Sequence, residues 1–229
     1  MSWILNIDTS LETATALLAK DGRIMCSREN KNQKDHASFL EPAIQSLVKE
    51  AGILFADLSA IAVVYGPGSY TGLRVGMASA KGLCYALNKP LIVLNNLEIL
   101  TIAAIIENNA ADSSLYCPMI DARRMEVYTA VYDEKLNVII DPYALILEPG
   151  SYSDLLIKNS ISFFGNGSGK WKTLCSHKNA RFVSVLNKDA AINQLSSQKL
   201  VQQSFTSIVY AEPLYIKEFY GTQNPSKTV

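Results

Sequence analysis

Histidine is nearly absent from this 229-residue chain, which has two, His36 and His177, far apart. Neither sits in an HxxxH or HExxH pattern, so a zinc site would lack its usual ligands. There is no GxSxG elbow, so the common serine-hydrolase arrangement is missing as well. Net charge is also absent: 21 basic residues balance 21 acidic ones. A neutral chain exerts no long-range pull on nucleic acid or anionic lipid, so any RNA contact must come from a local patch or a partner. No apolar run approaches the roughly 20 residues that span a bilayer. The longest candidate, Leu91–Ile106, is interrupted by Asn95, Asn96 and Glu98. The first residues, MSWILNIDTS, lack a basic leader and are broken by Asp8, so they do not read as a secretory signal peptide. Cys26, Cys84, Cys117 and Cys175 form no CxxC pair, and reduced thiols in a cytosolic setting are expected.

What is present is ample material for a core. Hydrophobic residues make up 48% of the chain and charged residues 18%, which excludes a disordered chain. At roughly 100–200 residues per domain, the length fits one large domain or two small ones.

Residue patterning divides the chain into two similar halves. Trp3–Asp8, Thr13–Ala19 and Arg23–Arg28 read as antiparallel strands, the last two joined at Asp21-Gly22. Ala37–Ala51 reads as a helix with Phe39, Leu40, Ala43, Ile44, Leu47 and Val48 on one face. Ala60–Tyr65 and Pro90–Leu94 are short, continuously apolar strands of the buried parallel kind, followed by helices over Thr71–Leu87 and Asn96–Asn108. The second half repeats the plan with strands over Leu115–Asp121, Glu126–Asp133 and Val138–Leu147. A helix over Ser151–Lys158, a strand over Ile161–Phe164 and a helix over Asp189–Gln203 complete it. Two α/β lobes are expected, residues 1–105 and 106–229, with a polar tail that frays after Phe219.

Four segments could carry chemistry. Gly66-Pro67-Gly68-Ser69-Tyr70-Thr71-Gly72-Leu73-Arg74 lies between a buried strand and a helix. It is either a tight connection or an anion site at a helix N-terminus capped by Ser69 or Thr71. The helix it opens has two apolar stripes, one through Leu73, Met77, Ala80, Cys84 and Leu87, the other through Val75, Ala78, Gly82 and Tyr85. Such a helix is buried on most sides, either centrally or against another subunit. Arg74, Lys81 and Asn88 share a polar seam between the stripes. Gly165-Asn166-Gly167-Ser168-Gly169-Lys170 approaches a phosphate loop, but Phe164 and Trp171 stand where a P-loop needs glycine and a hydroxyl. Asp8-Thr9-Ser10 and Asp121-Ala122-Arg123-Arg124 each end the first strand of a half. Their aspartates are either turn caps or a pair facing one cleft, where they would hold Mg²⁺ or a water. The two arginines suit a phosphate or a carboxylate, or are simply solvated.

Taken together, several motifs resemble the TsaB (YeaZ) family in order and spacing. They are Ile7-Asp8-Thr9-Ser10, His36-Ala37-Ser38-Phe39-Leu40, Gly66 to Gly76, Asp121 to Tyr128 and Gly165-Asn166-Gly167. The match spans nearly the whole chain. The resemblance implies two lobes of the actin/sugar-kinase/Hsp70-like (ASKHA) fold. It also implies a subunit that binds and stabilises a TsaD-type catalytic paralogue, acting with a TsaE-type ATPase on adenosine 37 of tRNA. The catalytic paralogue's HxxxH metal pair falls here on Asn96 and Leu100. A leucine cannot be a ligand, so neither a metal site nor activity of the lone chain is expected.

By the same resemblance, the helices Ala37–Ala51 and Thr71–Leu87 contact the partner. Phe39, Ala43, Leu73, Arg74, Met77, Ala80, Lys81 and Cys84 are its expected residues. Asp8, Thr9, Ser10, Asp121, Arg123, Gly165, Asn166 and Gly167 match degenerate nucleotide-binding segments. No cofactor is expected to bind tightly to the isolated chain, with ATP or ADP and Mg²⁺ confined to the complex. The free chain has the option of a homodimer. An active small-molecule kinase or a metalloprotease-like enzyme of the same fold is the alternative reading.

Overall fold

The computed structural model describes residues 1–107 and 114–217. The expected tail after Phe219, Asn108 and part of the expected lobe junction lie outside these residues.

Each half builds one five-stranded mixed sheet. In the first, β1 (Trp3–Asp8), β2 (Ala14–Lys20) and β3 (Arg23–Asn30) run antiparallel. The turn between β2 and β3 is Asp21-Gly22, with both residues at positive φ. α1 (His36–Glu50) leads to β4 (Leu58–Gly66), α2 (Tyr70–Leu87) and β5 (Leu91–Asn95), and the sheet order is β3-β2-β1-β4-β5. β4 lies parallel to β1 and β5, as its unbroken apolar run requires. α3 (Asn96–Glu107) then crosses toward the second sheet.

That sheet contains β6 (Leu115–Asp121), β7 (Glu126–Tyr132) and β8 (Val138–Ile146). After α4 (Ser153–Lys158) it adds β9 (Ile161–Phe164). α5 (Ser168–Lys172) and β10 (Ala180–Phe182) follow, in the order β10-β9-β6-β7-β8. Both sheets thus place an antiparallel pair beside parallel strands. α5 and β10 have no counterpart in the expected elements, being too short to show periodicity. α4 starts at Ser153 rather than Ser151, because Tyr152 takes a left-handed conformation just before it.

Four apolar clusters fill the layers. α1 and α2 cover one face of the first sheet through Leu40, Ile44, Leu47, Met77, Ala80 and Cys84. α6 (Asp189–Val201) returns from the second half to the other face, where Ala191, Ile192 and Leu195 meet Ile4, Ile92 and Ile99. α3 lies between the sheets, with Leu97, Leu100 and Ala104 packed on Tyr116, Ile120 and Phe164. The centrally buried helix is therefore α3, not α2. The sequence pattern of α2 suggested burial on most sides, yet its second stripe opens beyond the half-buried Val75: Ala78, Gly82 and Tyr85 are exposed, Tyr85 to 81%.

Candidate functional site

The sequence places chemistry at the C-terminal ends of β1, β4 and β6, and the structure gathers these ends around one cleft. The cleft has a volume of about 840 Å³, and its walls include Ser10–Glu12, Pro67–Thr71, Ile120–Arg124, Asn166 and Leu214–Lys217. Only part of the expected nucleotide set reaches it. Ser10, Asp121, Arg123 and Asn166 line the cleft, whereas Asp8, Thr9, Gly165 and Gly167 do not.

Asp8 is 2% exposed and held inside the fold. Lys188, just before α6, places its Nζ 2.6 Å from one carboxylate oxygen, and Ser10 donates both its backbone N–H (2.9 Å) and its hydroxyl (2.6 Å) to the other. Burial alone pushes the Asp8 carboxyl up. The charge and hydrogen bond of Lys188, with the Ser10 bonds, outweigh this and hold it below the usual carboxylate value. An ammonium group thus sits where a free carboxylate would hold a metal ion. Asp8 and Asp121 do not face a common cleft.

Thr9 is fully buried and donates its hydroxyl to the Gly72 carbonyl at 2.6 Å. A Cβ on Gly72 would overlap the Thr9 carbonyl oxygen, and one on Gly68 would overlap that of Ser10. The glycines of this segment therefore let the start of α2 pack on the β1–β2 turn. Ser69 caps α2, its Oγ accepting from the Gly72 N–H at 3.4 Å. Asn96, where a metal-binding histidine would stand, is fully buried and bridges the same turn, donating to Ser10 Oγ (2.9 Å) and the Pro67 carbonyl (3.0 Å). Leu100 packs in the core. These residues do not fit a metal site, and among the described residues no three His, Cys, Asp or Glu side chains group to hold one.

The Gly165–Gly167 turn is likewise occupied by packing. A Cβ on Gly165, which has φ +92°, would overlap the Met119 carbonyl oxygen, and one on Gly167 would meet Val127. Asn166 accepts from the Asp121 N–H at 2.9 Å and donates to Glu12 at 2.9 Å, a clasp across the two halves. Asp121 also pairs with Lys170 at 2.7 Å. Burial raises its carboxyl, but the Lys170 bond and charge and the Arg123 N–H leave it lowered. After Ala122, Arg123 and Arg124 both have positive φ, +70° and +47°. For residues other than glycine this costs on the order of 1–3 kcal/mol each. Hydrogen bonds from Arg123 N–H to Asp121 (2.6 Å) and from Glu126 N–H to the Arg123 carbonyl (3.0 Å) hold the turn.

Sequence reasoning missed three members of the site. Lys188 lies 180 residues from Asp8, Lys217 reaches Glu126 at 3.0 Å, and Tyr215 accepts from Arg74 Nε at 3.0 Å. No local motif marks any of them.

The expected partner residues divide by burial. Leu73, Met77, Ala80 and Cys84 are 0–4% exposed and face this chain's own sheet, and Ala43 is buried with them. These five are core positions, because the stripe of the four on α2 is the one that covers β1 and β4, and Ala43 on α1 joins the same cluster. Phe39 is half-buried, Arg74 lies over the Tyr70 ring at 4.1 Å, and Lys81 donates to the Ala211 carbonyl at 2.9 Å.

Comparison with known proteins gives this architecture a family. A family model described as TsaD, tRNA N6-adenosine threonylcarbamoyltransferase, matches residues 29–204. The chain belongs to this family. Within it, the chain falls in the TsaB (YeaZ) branch. It is 28% identical over 226 residues to the Escherichia coli tRNA threonylcarbamoyladenosine biosynthesis protein TsaB, covering 93% of this chain and 94% of that one. The TsaB protein of Bacillus subtilis is 38% identical over 136 residues, 59% of this chain; that alignment spans 57% of the relative. YeaZ from Pseudomonas aeruginosa superposes with a TM-score of 0.75 at 25% identity, covering 94% of this chain and all of that one. A Listeria monocytogenes protein described as an N-acetylmannosamine kinase shares the fold alone, with a TM-score of 0.51 and 8% identity over 88% of this chain and 99% of that one. No helix among the described residues is long and apolar enough to cross a membrane.

Proposed function

We propose that this chain is a non-catalytic subunit of a cytoplasmic machinery that installs N6-threonylcarbamoyladenosine at position 37 of tRNA. It binds and stabilises a TsaD-type catalytic paralogue, together with a TsaE-type ATPase. The observation that carries this reading is the engagement of Asp8. Its carboxylate is closed off by Lys188 and Ser10, and the residues at the paralogue's histidine positions, Asn96 and Leu100, are structural. A kinase of this fold would need Asp8 free, and a metalloprotease would need the histidines.

The partner surface in this reading is the outward face of α2 beside α1. Ala78 and Gly82 stand one helical turn apart with Tyr85 next to them, all exposed. Ser79 ties this face to α1 by donating to Glu41 at 2.6 Å. Small residues allow a partner helix to approach closely, and an exposed tyrosine is a favoured anchor. When no paralogue is present, a second copy of this chain competes for the same face.

Gly82→Arg tests the surface. A Cβ there meets nothing within 4 Å, and replacing an exposed mid-helix glycine removes a penalty of about 0.8–1 kcal/mol. The variant should melt no lower than the wild type and fail to form a heterodimer with the paralogue, read by light scattering after size exclusion. Met77→Glu is the contrast: it buries a charge in the chain's own core and should lose the fold before it loses the partner. A Gly82→Arg chain that still forms the full heterodimer overturns this surface, and wild-type chains that never combine overturn the reading.

A further inference from the structure

The cleft contains three carboxylates, and each has a partner. Asp121 is held by Lys170 (2.7 Å), Glu126 by Lys217 (3.0 Å) and Glu12 by the Asn166 amide (2.9 Å). Lys170 and Lys217 neutralise two of the carboxylates and the neutral amide only orients the third, Glu12, which leaves Arg123 and Arg124 as the cleft's cations with no carboxylate partner among the described residues. Both are exposed, and among the described residues neither guanidinium has a hydrogen-bond or ion-pair partner. Their turn is fixed by hydrogen bonds at Asp121, Arg123 and Glu126, so the two charges are presented from a rigid base. Tyr128 and Tyr215 line the same cleft, and Tyr215 is 40% exposed.

We propose that this cleft grips a single-stranded segment of RNA, with Arg123 and Arg124 on neighbouring phosphodiesters and an unstacked base against Tyr215 or Tyr128. The inference rests on the tRNA-modification reading and assigns this chain a direct contact with the RNA. Two adjacent arginines match two singly charged phosphates, each able to take a forked guanidinium. A free nucleoside triphosphate is a poorer fit, because it arrives with a divalent cation and every carboxylate in the cleft is engaged. Aromatic rings beside unpaired arginines are a usual platform for unpaired bases. The neutral chain confines the attraction to this patch.

The test uses the complex of this chain with its TsaD-type paralogue and an unmodified tRNA transcript. Binding is followed by fluorescence anisotropy between 50 and 200 mM salt. Arg123→Glu with Arg124→Glu should weaken binding by on the order of tenfold or more. The milder Arg123→Gln with Arg124→Gln should flatten the slope of log affinity against log salt by about 1.4, two phosphates at about 0.7 each for a single strand. Tyr215→Ala should weaken binding and leave the slope unchanged. Light scattering and thermal melting are run on every variant. The glutamine pair carries the test if the glutamate pair lowers the melting temperature. Unchanged affinity and slope in an intact complex overturn the inference, and so does a loss confined to ATP binding. If the two proteins never form a complex, the proposed function falls, and the same titration on the chain alone still decides the RNA site.

Discussion

Lys188→Met removes the cation bonded to a carboxylate that is 2% exposed, and the consequence can be worked from the geometry. Asp8 keeps two bonds from Ser10, at 2.9 and 2.6 Å, but loses the ammonium at 2.6 Å. Removing one partner of a buried pair typically costs 3–5 kcal/mol because the other charge stays buried. The surviving Ser10 bonds, and the partial exposure of Lys188 at 21%, place the expected loss at the low end, about 3 kcal/mol. For a chain of this length that is a fall of about 6–12 °C in melting temperature, at about 2–4 °C per kcal/mol.

The pH dependence gives a sharper check. In the wild type the Asp8 carboxyl is lowered from its ordinary value of 3.8. Its contribution is present above that value and lost as pH falls through the lower folded value. In Lys188→Met, burial is no longer opposed by a cation, and the Asp8 carboxyl moves up. The folded variant then takes up a proton before the unfolded chain does, so acidification relieves it. The gap between wild type and variant should narrow as pH drops from 7 toward 4. Urea unfolding followed by circular dichroism measures the gap at each pH. Asp8→Asn with Lys188→Met should recover more than half of the loss, since an amide carries no charge to desolvate. A loss under about 1 kcal/mol at pH 7, or a gap that does not change with pH, would refute the claim that Lys188 neutralises Asp8 inside the fold.

Two further outcomes follow from packing and burial. Gly72→Ala forces a Cβ against the Thr9 carbonyl oxygen, and it should lower the urea midpoint despite alanine's better helix propensity. Burial pushes the thiols of Cys84 and Cys117 up to about 11 and about 12, with a small opposing effect at Cys117 from hydrogen bonds to Thr129 and Tyr152. A thiol reagent at pH 8 should therefore label Cys26 or Cys175, which are half-buried, before those two, and label all four only after unfolding.

How far the sequence reveals this structure depends on how local each cause is. β1, β6 and β9 have the bounds their apolar runs indicate, and the Asp21-Gly22 turn has the positive φ that its residues favour. Periodicity locates α1 and α2 because each buries several turns of apolar residues on one face. The site is less legible because its closing contacts are long-range. Asp8 can be read as a strand-end carboxylate, but its ion pair comes from 180 residues away. The glycines at 165 and 167 suggest a phosphate loop, yet their neighbours Met119 and Val127 account for them. A glycine that admits a phosphate and a glycine that admits a neighbouring strand have the same spelling.

The same ambiguity explains the reversal on α2, and it bears on function. Leu73, Met77, Ala80 and Cys84 are apolar because they cover the sheet; Ala78, Gly82 and Tyr85 are apolar although they face outward. Hydrophobicity alone gives both stripes equal weight, and the stripe with the larger side chains looks like the better interface. Burial reverses that choice. A residue that stabilises its own fold cannot also be offered to a partner without unfolding, so in the proposed reading the interface uses what the core leaves over. Beyond the exposed Arg74, the C-terminal half of α2 leaves Ala78, Gly82, Tyr85 and Ala86 in water, a surface that gains little by staying there and lets another helix approach closely. Gly82→Arg and Met77→Glu, on opposite sides of the same helix, therefore separate association from stability. The first should leave a folded monomer, and the second should leave neither fold nor partner.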